Sequence, residues 1–397
     1  MPSCHPEHEM VHFRLTSRAE IEQRVEQRME PTQDKRILAL DAFRGFTIAA
    51  MILVDSPGSY RDVYPQLKHA AWNGWTFADT IFPFFLFIMG VSMVFSFAGR
   101  KGTAPAAGAL DVQVVDRTVV LFLLGLFMNA YPLFHLSTLR VMGILQRTAL
   151  CYFFAALIMI RYGPRGQCLW LAGLLTAYSL MMRFIPVPGV GAFVLEPGKN
   201  LAGYVDSLLL RGHMYGAWEP EGVVSTIPAI ATTLFGALAG NCLRLPLAGS
   251  TKTLVMISSG MGLAILGVML DPWMPINKTI WTSSFSIFMA GLAFLALSVF
   301  YWLIEIRRYR TWAKVFIVFG MNSIAIYFLA QFVDPLVRVV LHRTGAVAAA
   351  WGSQLPTAWT SPLESPQNES LLFGLSYVFV MYLIAWWLWK RKIFIKI

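Results

Sequence analysis

Apolar stretches long enough to cross a bilayer recur about ten times along this chain, and that recurrence limits its fold more than any other feature. Crossing the hydrocarbon core takes about 20 mostly apolar residues in a helix. Such runs lie near 38–54, 77–98, 118–132, 143–160, 167–185, 224–243, 253–270, 281–304, 315–333 and 371–389. The third is short, and 335–350 leaves room for a further short helix. In lipid every backbone N–H and C=O must be paired internally, which leaves helices or closed barrels. The runs are too long for barrel strands and lack period-two alternation. Only 14% of the residues are charged, where soluble domains carry about 25%. Lipid accounts for the missing charge. The expected fold is all-α, a polytopic integral membrane helix bundle of about ten transmembrane helices.

Orientation follows from the placement of Lys and Arg, which favour cytoplasmic loops. With the N-terminus inside, the inner segments collect most of them. The short segments 305–314 (Arg307, Arg308, Arg310, Lys314) and 390–397 (Lys390, Arg391, Lys392, Lys396) weigh most. Both termini are therefore expected in the cytoplasm, which requires an even number of spans. The net charge of +10 is explained by this sidedness, and nothing points to nucleic acid. The long loops 55–76, 186–223 and 334–370 then face outward, rich in Pro, Gly, Trp and acids. Loops of that length and composition usually carry function.

Two regions are expected: a polar cytoplasmic tail, 1–36, helical or disordered, and a transmembrane domain, 37–397. The tail holds no apolar core and so no cleavable signal peptide. Ser17-Arg18-Ala19-Glu20 is a capping-box pattern for a short helix there. Met10 and Met29 are alternative starts. The cysteines Cys4, Cys151, Cys168 and Cys242 show no metal-ligand spacing, so no metal is expected.

Charged and strongly polar groups near or within spans are costly, which makes each a candidate for function. The densest cluster runs from Lys68 to Asp79 at the outer mouth of the second span, Lys68-His69-Ala70-Ala71-Trp72-Asn73-Gly74-Trp75-Thr76-Phe77-Ala78-Asp79. Histidine is the one ordinary side chain that exchanges a proton near neutral pH, which suits His69 to act as a general base or an acyl carrier. An interfacial histidine bonded to a loop carbonyl is the plainer alternative. Asp79 closes a capping box with Thr76, or else orients His69 or a substrate amine. Trp72 fits an aromatic belt or a sugar platform, and Asn73-Gly74 is a turn signal. Asp41 and Arg44, one helical turn apart, can pair or form a cytoplasmic anion site. Asp55 ends the same span and is expected to face His69. Gln146-Arg147 lies inside an apolar run, where the arginine needs a carboxylate or a bound anion. Glu221 and Thr226 lead into the sixth span, and Asn277-Lys278 precedes the eighth. Asn322 sits within the ninth, as interhelical glue or as a ligand. Walker, HExxH, GxSxG and dinucleotide signatures are absent.

These segments resemble the heparan-α-glucosaminide N-acetyltransferase family of membrane acyltransferases over roughly residues 36–397. The segments that carry the resemblance are LDAFRG (40–45), KHAAWNGWTFADTIFPFFLFIMG (68–90), LRVMGILQRTALCYF (139–153) and EPEGVVSTIPAIATTLFG (219–236). PINKTIWTSSF (275–285), FGMNSIAIYFL (319–329) and RKIFIKI (391–397) complete it. The resemblance implies transfer of acetyl from cytoplasmic acetyl-CoA to an amino sugar across the membrane. The family's catalytic histidine, in a KHASWNG-type segment, matches His69, and the aspartate of its ADLxFP segment matches Asp79. The aspartate and arginine of its DTFRG segment match Asp41 and Arg44. Two departures stand out. Asp55-Ser56-Pro57-Gly58 replaces an asparagine and a Gly-rich turn, and a large lumenal N-terminal domain is missing. They point away from heparan itself, towards a periplasmic amino sugar or glycan handled by a bacterial inner-membrane protein. A homodimer is implied by resemblance alone.

The resulting expectation is a transmembrane N-acetyltransferase. His69 and Asp79 form its catalytic pair. Asp41, Arg44, Gln146, Arg147 and Asn322 serve the donor. Asp55, Trp72, Asn73, Glu221, Thr226, Asn277 and Lys278 serve the acceptor. An amino-sugar permease is the alternative, disfavoured because no inverted repeat or paired Gly/Pro-broken spans are evident.

Overall fold

A computed structural model describes residues 37–101, 109–352 and 365–395. The expected tail, 1–36, lies outside the described residues, as do Lys396 and Ile397. Among the described residues there is no β-strand, only one isolated bridge between Val187 and Gly191. The helices are α1 (Leu38–Asp55), α2 (Phe77–Lys101), α3 (Ala109–Ala130), α4 (Ile144–Arg161), α5 (Pro164–Phe184) and α6 (Leu201–Leu209). They continue with α7 (Thr226–Arg244), α8 (Gly249–Leu270), α9 (Ser283–Tyr301, extended by a π turn, Trp302–Ile306), α10 (Ala313–Met321), α11 (Ser323–Gly352) and α12 (Pro366–Lys390). Six are long and apolar enough to cross a membrane: α2, α4, α7, α8, α9 with its π turn, and α12. A seventh candidate is α10 with α11, taken as one span bent by 83°. Helices α1 and α3 also have span length but carry three charges each: Asp41, Arg44 and Asp55 in one, Asp111, Asp116 and Arg117 in the other. The described residues thus form a helical membrane bundle.

Burial separates the helices into layers. The apolar windows of α2 and α7 are 78% buried, those of α8 and α12 only 22%. The first pair therefore fills the centre, and the second presents most of its surface to lipid. Lipid offers no hydrophobic drive between helices, so close backbone approach must supply the contact energy. Glycines make that approach here. A Cβ on Gly45 of α1 would overlap the Phe316 carbonyl of α10, and one on Gly320 would overlap the Asp41 carbonyl. Likewise Gly90 of α2 faces the Thr233 carbonyl of α7, and Gly236 faces that of Phe87.

The structure corrects several expected boundaries. The third helix starts at Ala109, well before 118, because its first turns mix polar residues with an apolar stripe. The ninth apolar run is broken at Asn322, whose φ of −127° and ψ of 35° end α10. Its side chain explains the break. Asn322 Nδ2 donates to the Ile393 carbonyl (3.0 Å), and Oδ1 accepts from Ile395 N (2.9 Å). The amide pins the segment after α12 into the gap. The stretch 335–350 is no separate helix but a continuation of α11 through Pro335. The nine-residue α6, capped by Asn200 Oδ1 on Gly203 N (2.8 Å), was unexpected within the loop 186–223.

Candidate active site

Helix α2 begins where the backbone turns at Thr76, and the carboxylate of Asp79 organises that turn. Asp79 Oδ2 accepts from Thr76 N (3.0 Å), Thr76 Oγ1 (3.1 Å) and Ala70 N (3.0 Å). This is the capping geometry, and the same group has a second role. Its other oxygen, Oδ1, lies 2.8 Å from His69 Nδ1. Asp79 is 1% exposed and the His69 side chain 48%, so a buried anion holds an accessible ring. The two readings of Asp79 therefore coexist in one side chain. With Nδ1–H donated to Asp79, the assigned tautomer leaves the Nε2 lone pair free.

Lys278 completes the cluster. Its Nζ is 3.1 Å from His69 Nδ1, 3.3 Å from Nε2 and 3.5 Å from Asp79 Oδ1. The loop before α9 is sewn to the 68–79 segment: Gly74 N donates to the Ile276 carbonyl (2.8 Å), and Asn277 Nδ2 to Asn73 Oδ1 (3.1 Å). Asn73 and Asn277 thus brace the cluster. Trp72 donates its indole N–H to the Leu195 carbonyl (2.9 Å) and packs edge-on against Trp218.

His69 opens onto a cleft of about 650 Å³. Asp55, Lys68, Gln146, Tyr327 and Gln331 share its wall. Gln331 Nε2 donates to Asp55 Oδ2 (2.9 Å), so Asp55 and His69 do face one space. A second cavity of about 200 Å³ is lined by Arg44, Ser92, Arg117, Leu121, Thr148 and Tyr152. The two share the α3–α4 wall. Gly125 and Gln146 face the cleft, while Leu121 and Thr148 face the second cavity. Leu121 and Gly125 are four residues apart, so about 6 Å of helix separates the two spaces. Gln146 stands between them, 1% exposed, with Nε2 unpartnered among the described residues.

The remaining expected residues are placed as follows. Arg44 lies 3.5 Å from Asp41 and donates to Ser92 Oγ. Glu221 shares Arg140 with the buried Glu219, and Arg140 stacks over Tyr215. Burial opposes charge on Glu221, but Arg140, Arg147 and Lys278 together hold its carboxyl below the usual range. Of the two partners expected for Arg147, a carboxylate or a bound anion, no carboxylate is in contact among the described residues. Fully buried, Arg147 donates through Nη2 to the Pro220 (3.0 Å) and Gly222 (3.3 Å) carbonyls and to Ser225 Oγ. It stacks on Trp281, 5.1 Å away. Three oxygens before α7 thus converge on one nitrogen, Nη2, while Nε and Nη1 are buried with no hydrogen-bond partner among the described residues. Thr226 is tied into the same turn through the Gly222 carbonyl (2.8 Å). Asn322 is occupied by the C-terminal segment, as described above.

Sequence reasoning passed over Arg117, Tyr327 and Gln331. Arg117 stands just before the third apolar run, 118–132. It lines the inner cavity over the Tyr152 ring (4.8 Å), with Nε unpartnered among the described residues. Tyr327, Gln331 and Pro335 follow one helical face at four-residue spacing, a signal that starts in the apolar run 315–333 and ends just past it. Among the described residues, no group of three or more His, Cys, Asp or Glu is arranged to hold a metal.

A sequence model of the heparan-alpha-glucosaminide N-acetyltransferase catalytic family matches residues 36–248. The chain belongs to this family. The match spans α1 to α7 and so contains His69, Asp79, Arg44 and Gln146. Two heparan-alpha-glucosaminide N-acetyltransferases, from Mus musculus and Homo sapiens, are each 27% identical to the chain over 91% of its length. The chain spans about 60% of the length of these relatives. Lys278, Asn277 and Asn322 lie beyond the matched family region, on elements that fold back onto it.

Proposed function

We propose that this heparan-α-glucosaminide N-acetyltransferase family member is a transmembrane N-acetyltransferase that moves acetyl from cytoplasmic acetyl-CoA to an amino sugar, glucosamine or a glucosamine-ended glycan, on the opposite face. The observation that carries this is the His69–Asp79–Lys278 cluster on a cleft separated by one helical turn from a cavity holding two arginines. The protein has ten spans and two cytoplasmic termini, lies in the inner membrane and assembles as a homodimer. The last of these rests on family resemblance alone.

An amine acceptor is protonated in water and unreactive until a base removes its proton. His69, oriented by Asp79, has Nε2 available for that proton, or for carrying the acetyl group itself. Asp55 on the cleft wall favours a cationic amine, Glu221 acts on the cleft through Arg140, and Trp72, Asn73, Asn277 and Thr226 hold the loops around it. On the other side, Asp41, Arg44 and Arg117 form the mouth for the phosphates and arm of the donor. Gln146, between the spaces, offers an N–H to a donor carbonyl. Arg147 and Asn322 act here through the loops they hold. The donor supplies its activated acetyl, and the nucleotide stays on its own side.

The test is purified protein with acetyl-CoA and glucosamine. Turnover is expected in the wild type, with a loss of at least about 100-fold in His69→Ala. Equal rates in the two would end the catalytic reading. The 83° break between α10 and α11 favours the second reading, a permease, because broken spans line transport sites. Uptake of labelled glucosamine into liposomes without acetyl-CoA would favour it.

A further inference from the structure

An amine belonging to the protein already sits where an acyl acceptor has to sit. Lys278 Nζ is 3.1 Å from Nδ1 and 3.3 Å from Nε2 of His69. Distances that short and nearly equal exclude a place in the ring plane, where Nζ would collide with Cε1. It therefore lies over the ring face. Nε2 keeps its in-plane lone pair, with an amine nitrogen beside it. Lys278 is also held there. Its side chain is 19% exposed, and Asp79 Oδ1 stands 3.5 Å away. Its turn is fixed by Asn277 Oδ1, which accepts from Ile280 N (3.1 Å), and by Thr282 Oγ1, which accepts from Asn277 N (3.1 Å). A side chain so constrained loses little entropy in reaching a reacting centre.

We infer that Lys278 is a self-acetylation site, modified by the protein's own acetyl donor when no acceptor fills the cleft. The inference rests on the proposed reading that acetyl-CoA is the donor and His69 the base or carrier. In the direct route the Lys278 ammonium moves off the ring face into the imidazole plane, where His69 Nε2 takes a proton from it. The freed lone pair attacks the thioester carbonyl, an N–C bond forms, and the C–S bond breaks. Nζ gives up two protons in all; one ends on the CoA thiol and the other goes to solvent. If acetyl is first carried on Nε2, CoA has already left as the thiol. The Lys278 lone pair then attacks the acetyl carbon, and the imidazole N–C bond breaks with its electron pair returning to Nε2. Of the two ammonium protons, one restores the ring N–H and the other goes to solvent. Either route leaves a neutral amide in place of an ammonium. The ion pair with Asp79 is lost, and an acetyl group stands over the ring where an acceptor amine must enter. The consequence is self-inactivation in the absence of acceptor, and protection by acceptor.

Lys199 provides an internal reference for uncatalysed acetylation. It is 60% exposed and paired with Glu196 at 2.8 Å. The experiment incubates the full-length protein with acetyl-CoA labelled in its acetyl carbons, without acceptor, and reads each lysine by peptide mass spectrometry. Lys278 is expected to be labelled at least about tenfold more than Lys199, through enforced proximity to His69. In His69→Ala the excess disappears, and glucosamine suppresses it in the wild type. Activity towards glucosamine added later falls in step with Lys278 occupancy. The inference is overturned if protein that acetylates glucosamine labels Lys278 no more than Lys199. It is also overturned if His69→Ala labels Lys278 as fully as wild type. Glucosamine turnover measured in parallel tests the underlying reading separately.

Discussion

Asp206 is 1% exposed, and its Oδ1 accepts from Val223 N at 2.8 Å. Its other oxygen packs so tightly on Gly222 that a Cβ there would overlap it. Burial pushes its pKa up to about 6. The protonated form is thus the one the fold prefers. That stability is fully present below the unfolded value near 4 and is lost as pH rises through about 6, on the order of 2 kcal/mol. Asp206→Asn keeps an acceptor for Val223 N and carries no charge. Thermal unfolding midpoints of the variant are expected to decline less between pH 4 and 7 than those of the wild type. Parallel declines would remove Asp206 as the cause. Carboxylates of this kind mark the limit of what a sequence reveals. His69 and Asp79 were legible as a pair because ten residues and a capping box bring them together. Lys278 is 209 residues from His69, and Gln331 is 276 from Asp55. No periodicity encodes such meetings; they arise from packing of whole helices.

Helices meet here through glycine backbone, and this sets a prediction at the level of elements. A methyl at Gly236 would overlap the Phe87 carbonyl of α2, and one at Gly45 the Phe316 carbonyl of α10. Backbone cannot move aside as a flexible side chain can, so the crossing must open. Gly236→Ala and Gly45→Ala are each expected to cost about 1–3 kcal/mol or more, as overpacked cores do. The comparison is Gly262→Ala in α8, where nothing lies within 4 Å. There the better helix propensity of Ala adds about 0.5–1 kcal/mol of stability. Midpoints of thermal unfolding in detergent should order the three variants accordingly. A Gly236→Ala protein as stable as the wild type would show that the α2–α7 crossing is not held by close contact. The apolar runs made most of these helices legible, since length and hydropathy suffice to locate them. The break at Asn322 was not, because its cause is a hydrogen bond to Ile393 and Ile395, beyond the reach of local pattern.

At the scale of the whole molecule, the chemistry depends on which face is which. Arg307, Arg308 and Arg310 fall in one short connection, and Lys390 ends α12, followed directly by Arg391 and Lys392. Cytoplasmic placement of such short basic segments is the general rule, and under the proposed function it would put Arg44 on the donor side and His69 on the acceptor side. Anionic donor would then be drawn to a basic mouth, while the cleft beyond meets the amine. Cysteine accessibility tests this directly. In a Cys168→Ser background, since Cys168 is exposed, Glu196→Cys probes the loop before α6, and Tyr309→Cys the connection after α9. Tyr309 is 62% exposed and the Glu196 side chain 64%, so both sites are open to reagent. A membrane-impermeant maleimide added to intact spheroplasts should label Glu196→Cys at once, and Tyr309→Cys only after permeabilisation. The reverse pattern would place His69 in the cytoplasm together with the donor. Transfer would then need no tunnel, and the one-turn wall between the two cavities would lose its purpose as a crossing point. Labelling of both sites in intact cells would mean mixed insertion, and with it a charge bias too weak to fix the orientation of this bundle.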